Sequence, residues 1–161
     1  RHALPAMRGD GLIVEWSDVL LSTQAQLAGL KHCNRLEQIL ARDACKVDDA
    51  LMRTQDGDVI CATSANLFVL HGDRWSTPAV DRCGVAGVCR AWLLSQTDAA
   101  EVRIAMADLE TADSVLLCNA VRGILPMARL GPHAWAPHPA VADLQARLAH
   151  AHPGFAAATT T

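Results

Sequence analysis

The sequence predicts a mixed α/β domain whose central strands pair mostly in the antiparallel sense. Two short polar turns, at 55–58 and 71–74, separate β-rich runs, which is typical of an antiparallel meander. A helical period precedes the meander, and β-rich and helical segments alternate after it. The runs that form the predicted meander are 50–54, 59–63, 66–70 and 75–77.

The first elements are a strand that leads into a loop and then a helix. Residues 11–21 read GLIVEWSDVLL, and the period becomes helical over 32–44. Lys31 therefore falls at or just before the start of this helix. The predicted buried face carries Cys33, Leu36, Ile39, Leu40 and Ala44. The predicted outer face carries Arg35, Glu37, Gln38, Arg42 and Asp43.

Helices and strands alternate in the second half of the chain. The predicted helices are an amphipathic segment at 86–96, a short acidic one at 108–112 and an alanine-rich one at about 139–152. The predicted strands are 101–106, 114–119 and 124–130.

Length and composition predict one folded domain. The chain has 161 residues, of which 51% are hydrophobic, and its mean hydropathy is +0.15, values that suit a single core. We assign residues 1–155 to this domain and expect the low-complexity tail at 156–161 to be frayed. No run reaches the roughly 18 apolar residues of a membrane span, so no membrane partner is expected.

Charge and cysteine usage exclude further classes of function. The net charge is −3 and the basic residues are scattered along the sequence, which argues against a nucleic-acid partner. Six widely spaced cysteines include no CxxC pair, so we expect free thiols, a cytoplasmic location and no metal site.

Lys31 is the first candidate for chemistry. Of the 14 basic residues 12 are Arg, and Lys31 and Lys46 are the two lysines. An amine can form an imine and a guanidinium cannot, and the apolar context LAGLK would favour the uncharged amine. The alternative is a solvent-exposed lysine at a loop–helix junction, and composition alone favours that alternative.

Two further segments are compatible with ligand binding, although neither of them requires it. Glycines at 84 and 87 precede the helix at 86–96, where free amides and the helix dipole can hold a phosphate. The run CNAVRG at 118–123 places polar and small residues after an apolar strand. An ordinary turn explains either segment equally well.

Together these segments resemble the C-terminal half of a class IV (fold-type IV) pyridoxal-phosphate enzyme. Within that family the chain is most similar to the aminodeoxychorismate lyase branch, and the match in order and spacing extends over 11–130. The shared Lys-x-x-Asn-x-Leu core is formed here by Lys31, Asn34 and Leu36. The segments that carry the resemblance are LAGLKHCNRLEQILAR (27–42), DGDVICATSANLF (56–68), TPAVDRCGVAGVCR (77–90) and ADSVLLCNAVRGILPM (112–127).

The resemblance implies a role for each site residue. Lys31 would hold pyridoxal 5'-phosphate as an aldimine and move the protons of the reaction. The backbone amides of Val88 and Cys89 would bind the phosphate, and Asn119 and Ala120 would form part of the wall around cofactor and substrate. Asn66, in the family's Asn-Leu-Phe, would be structural.

The resemblance also implies a reaction and an assembly. The lyase reaction removes pyruvate from 4-amino-4-deoxychorismate and leaves 4-aminobenzoate, a folate precursor. The alternatives are a class IV transaminase for branched-chain or D-amino acids, or a catalytically incomplete fragment of either enzyme. The family implies a homodimer and an N-terminal domain that this chain lacks.

One position departs from the family pattern. Five residues before Asn66 the family usually has a Glu that pairs with the pyridine nitrogen of the cofactor, and here that residue is Cys61. A neutral thiol cannot supply the charge of a carboxylate. We expect the elimination to tolerate this change, because formation of the aromatic ring drives it.

Overall fold

A β-sheet that closes on itself lies at the centre of the computed structural model, which describes residues 10–155. The strands are β1 (Leu12–Trp16), β2 (Asp49–Arg53), β3 (Val59–Ala62), β4 (Asn66–His71), β5 (Arg74–Pro78), β6 (Ala100–Val102), β7 (Ser114–Asn119), β8 (Gly123–Leu130) and β9 (His133–Ala134). The helices are α1 (Leu36–Ala44), α2 (Val88–Gln96), α3 (Met106–Glu110) and α4 (Pro139–Ala151).

The sheet order confirms the predicted mixed α/β fold and its antiparallel meander. Strands β3, β2, β1, β8, β7 and β4 follow one another, and a pairing of Cys61 with Asn66 joins β3 back to β4. Strands β5 and β6 extend the sheet beyond β4, and β9 pairs with β8. Most neighbours are antiparallel, whereas β1 runs parallel to β2 and β8, and β5 runs parallel to β6.

Both sides of the central strands are buried, which explains their continuous apolar runs. In β4, Leu67 and Val69 belong to one apolar cluster and Phe68 belongs to another, as the alternation of a strand requires. The second cluster includes Leu93 of α2 and Leu144 of α4. Helices α2 and α4 therefore cover the side of the sheet that carries Phe68.

Helix α1 packs by a different face from the one that its apolar period predicts. Gln38 and Ala41 are its buried residues, and Ala41 contacts the apolar cluster that contains Met52 of β2. Leu36 and Ile39 are each 61% exposed. The small Ala41 side chain lets the helix approach the sheet closely, and this leaves an apolar stripe on its outer face, formed by Leu36, Ile39 and Leu40.

Other boundaries differ from the predicted ones by smaller amounts. The predicted strand 101–106 is reduced to the three exposed residues of β6, which pair with β5 alone, and Met106 already begins α3. Strand β7 has its predicted bounds. No helix within residues 10–155 is long and apolar enough to cross a membrane. The tail at 156–161 lies outside the described residues.

The burial of the two side chains predicts different losses of unfolding free energy for an apolar substitution in α1 and one in α2. Ile39→Gln should change the free energy of unfolding by less than about 0.5 kcal/mol, because its side chain is mostly exposed. Leu93→Ala, at a residue that is 0% exposed, should cost about 2–5 kcal/mol. Urea unfolding measures both. Equal costs would mean that Ile39 lies on the buried face after all.

Candidate functional site

A cleft of about 1020 Å³ gathers most of the residues that the sequence singles out. It lies between α1, the N-terminus of α2, strand β3 and the turn between β7 and β8. The predicted site residues that line it are Lys31, Cys61, Val88, Asn119 and Ala120. Cys89, the remaining one, is buried beneath the cleft as the second residue of α2.

The loop that carries Lys31 is fixed by a backbone pairing with the loop before α2. The Gly29 N–H donates to the carbonyl of Gly84 at 3.1 Å, and the Ala86 N–H donates to the carbonyl of Gly29 at 2.9 Å. Gly29 has a φ of +78°, a conformation that favours glycine. Lys31 itself is exposed, so the apolar surroundings that its neighbours in sequence suggest do not form among the described residues.

The N-terminus of α2 opens into the same cleft. Its cap residue, Gly87, supplies no side chain, so the first amides of the helix are not covered by a cap. The Asn66 Nδ2 atom donates to the Val85 carbonyl at 2.8 Å and so holds this loop. A Cβ atom on Gly87 would lie 2.3 Å from Asn66 Oδ1, which explains why glycine stands there.

Two cysteine thiols of the cleft wall are neutral at physiological pH. Burial raises the pKa of Cys61 to about 12. A hydrogen bond with Cys89, together with burial, raises the pKa of Cys118. All six cysteines are unpaired in the structure, as the sequence predicts.

A buried carboxylate that the sequence analysis missed organises the wall of the cleft around Ser64. Asp49 is 0% exposed, and its Oδ1 atom accepts hydrogen bonds from the backbone and hydroxyl of Thr63. Its Oδ2 atom accepts a hydrogen bond from Ser64 Oγ at 2.8 Å. Arg122 is its nearest cation, at 3.9 Å. The available sequence signal was a pair of acidic residues directly before an apolar strand.

The cleft is also more basic than the sequence suggests. Scattered basic residues predicted no positive patch, but the fold brings four cationic side chains to the cleft against a single acidic one, Asp43. The Arg35 guanidinium makes no hydrogen bond or ion pair within residues 10–155. The cationic residues are Lys31, Arg35, Arg42 and Arg122.

Comparison with known proteins identifies similar enzymes. An aminodeoxychorismate lyase from Vibrio harveyi is 38% identical over 116 residues, which are 67% of this chain and 43% of that protein. The crystal structure of 4-amino-4-deoxychorismate lyase from Pseudomonas aeruginosa superposes with a TM-score of 0.84 and 36% identity, over 87% of this chain and 55% of that one.

A more distant likeness shows the fold. An aminotransferase from Brucella abortus, in a crystal structure with the cofactor PLP, has a TM-score of 0.72 and 15% identity, over 90% of this chain and 55% of that one. The present chain thus spans about half the length of the proteins that it matches. The family model for amino-transferase class IV matches residues 6–130. The chain therefore belongs to the class IV aminotransferase family, whose enzymes depend on pyridoxal phosphate.

Proposed function

We propose that this chain is the cofactor-binding part of a 4-amino-4-deoxychorismate lyase, which eliminates pyruvate and leaves 4-aminobenzoate. The two lyases that it resembles at 36% and 38% identity support this choice within the family. The observation that carries the proposal is that Lys31 and the uncapped N-terminus of α2 line one cleft. An amine and an anion site so arranged suit a phosphorylated aldehyde cofactor.

The residues of the cleft fit pyridoxal 5'-phosphate at its two ends. Lys31 would hold the cofactor covalently, and the amides of Val88 and Cys89, which no side-chain cap covers, would bind its phosphate. Asn119 and Ala120 would form part of the wall beside it. When bound, the cofactor supplies an electron sink for the charge that develops next to the substrate amine.

Lys31 is the residue that we assign to proton transfer. Lys31 is exposed and lines the cleft, and in the proposed reaction its amine removes the proton from the ring carbon that bears nitrogen. The same amine then returns a proton to the departing enol. The cationic side chains around it would attract an anionic substrate to a protein whose net charge is −3.

Cys61 would give the bound cofactor a weaker electron sink than the Glu that the family usually has at this position. Its pKa of about 12 keeps the thiol neutral across the physiological range, so it offers no negative charge to a protonated ring nitrogen. In this proposal the energy released by aromatisation compensates, and the elimination needs less help from the sink than a transamination does.

A second domain and a second copy of the chain belong to the same proposal. The relatives are about twice as long as this chain, and the exposed Leu36, Ile39 and Leu40 form an apolar stripe beside the cleft. We propose that the N-terminal domain of the complete enzyme closes the cleft and that the complete enzyme is a homodimer.

Replacing Lys31 tests the cofactor assignment. Lys31→Ala should abolish both pyruvate release from 4-amino-4-deoxychorismate and covalent attachment of the cofactor, because no other amine lines the cleft in the described chain. Lys46→Ala is the matched control, since Lys46 is exposed, lies outside the cleft and is the only other lysine. Borohydride reduction followed by peptide mass mapping locates the attachment. Attachment that survives in Lys31→Ala would remove Lys31 from its role.

The substrate that the protein converts distinguishes a lyase from a transaminase. The same purified protein is incubated with 4-amino-4-deoxychorismate in one assay and with paired amino and 2-oxo acids in another. We expect pyruvate and 4-aminobenzoate in the first assay and no amino-group exchange in the second. Exchange without pyruvate release would assign the protein to the transaminases, and no reaction in either assay would indicate an incomplete enzyme.

Substitution of Cys61 tests the tolerance of the reaction for a weak electron sink. Cys61→Glu should change turnover by less than about tenfold relative to Cys61→Gln, which has the same shape without the charge. Steady-state release of pyruvate measures both variants. A gain of several hundredfold that appears only with Glu would show that the missing carboxylate limits the wild-type reaction.

A further inference from the structure

The Arg122 guanidinium occupies the end of the cleft formed by the turn between β7 and β8. Its side chain is 19% exposed, and one nitrogen, Nη2, lies 3.5 Å from Ser64 Oγ and 3.9 Å from Asp49 Oδ2. Within residues 10–155 the Nε and Nη1 atoms make no hydrogen bond. A guanidinium carries five N–H donors, so most of its hydrogen-bonding capacity is free toward the cleft.

The backbone around Arg122 is held in place by Asn119. The Oδ1 atom of Asn119 accepts hydrogen bonds from the amides of Val121 and Arg122, at 3.0 and 2.7 Å. Its Nδ2 atom donates to the Ser64 carbonyl at 3.3 Å. The turn after β7 and the segment after β3 thus form one continuous wall of the cleft. The backbone of Arg122 is held in a fixed position on this wall.

The buried Asp49 orients the side chain of Arg122. The carboxylate is completely buried and accepts hydrogen bonds from Thr63 and Ser64, which fix the positions of both oxygens. At low dielectric its attraction for the guanidinium is strong. Because the contact with Arg122 is 3.9 Å, it is an ion pair without a hydrogen bond, and it holds the guanidinium against the wall of the cleft without using up its donors.

The chemistry of this wall favours a carboxylate as its ligand. The planar guanidinium matches the two oxygens of a carboxylate, and Asp49 already offsets one unit of its positive charge. A singly charged acid suits that balance better than a doubly charged phosphate does. The Ser64 hydroxyl donates its proton to Asp49, so it has no proton left to donate to a ligand. Arg122 is therefore the donor that recognises the ligand.

We propose that Arg122 binds a carboxylate group of the substrate and product, and that Asp49 is the positioning residue that orients it. This inference rests on the proposed function and deepens it, because 4-aminobenzoate, pyruvate and the amino and oxo acids of the transaminase alternative all carry that group. Arg122 then determines selection for acids over their neutral analogues.

The test compares binding of an acid with binding of its neutral analogue. Calorimetric titration of the purified chain with 4-aminobenzoate and 4-aminobenzamide should show a preference for the acid of about tenfold to hundredfold, as expected of hydrogen bonds to a charged partner. Arg122→Gln should reduce that preference to about twofold or less. Arg129→Gln, at an exposed arginine outside the cleft, should leave it unchanged.

The positioning role of Asp49 is tested through Ser64, because removal of the buried carboxylate itself endangers folding. Ser64→Ala frees one oxygen of Asp49 to pair directly with Arg122, and the preference for the acid should fall severalfold while affinity for the amide stays constant. A preference that is unchanged in Ser64→Ala would contradict the positioning role, and one that is unchanged in Arg122→Gln would overturn the proposal.

Pyruvate and branched-chain 2-oxo acids separate this proposal from the proposed function. Binding of the oxo acids that depends on Arg122, without binding of 4-aminobenzoate, would support the carboxylate site and contradict the lyase assignment. If Arg122→Gln releases pyruvate from 4-amino-4-deoxychorismate with an unaltered KM, that result would support the lyase assignment and contradict the carboxylate site. A chain that binds none of these acids would overturn the carboxylate site.

Discussion

The pairing of Gly29 with the segment from Gly84 to Ala86 is the contact on which the site depends. Two backbone hydrogen bonds join loops that lie more than fifty residues apart in sequence, and they bring the lysine loop beside the N-terminus of α2. Without them Lys31 and the first amides of that helix would belong to separate surface loops. Asn66 reinforces the arrangement through the Val85 carbonyl, so β4 of the central sheet also supports the cleft.

The electrostatics of the cleft follow from burial as much as from charge. The protein is acidic overall, yet the fold concentrates cationic side chains around a wall whose thiols stay neutral. Such a cleft attracts anions and offers no carboxylate on its surface near Cys61. Asp49, the buried acid, is engaged by Thr63 and Ser64 instead. The arrangement supports the elimination that we propose, which needs an anionic ligand held firmly and only a modest electron sink.

Local patterns were sufficient to predict the elements and the candidate lysine but not how the surfaces meet. Turn residues and apolar runs predicted the meander and the bounds of β7, because these depend on neighbours in sequence. The apolar period of α1 indicated a helix and gave the wrong buried face, since the fold buries Ala41 and leaves Ile39 exposed. Asp49 escaped notice, and Arg122 was noted only within the run CNAVRG, because the partners of both residues are distant in sequence.

The proposed function requires one ligand that spans the distance from Lys31 to the start of α2. A crystal structure of the protein grown with pyridoxal 5'-phosphate would show whether such a ligand binds. We expect continuous electron density from Lys31 Nζ to a phosphate that accepts hydrogen bonds from the amides of Val88 and Cys89. Density for the cofactor at another lysine, or a phosphate bound away from α2, would contradict it.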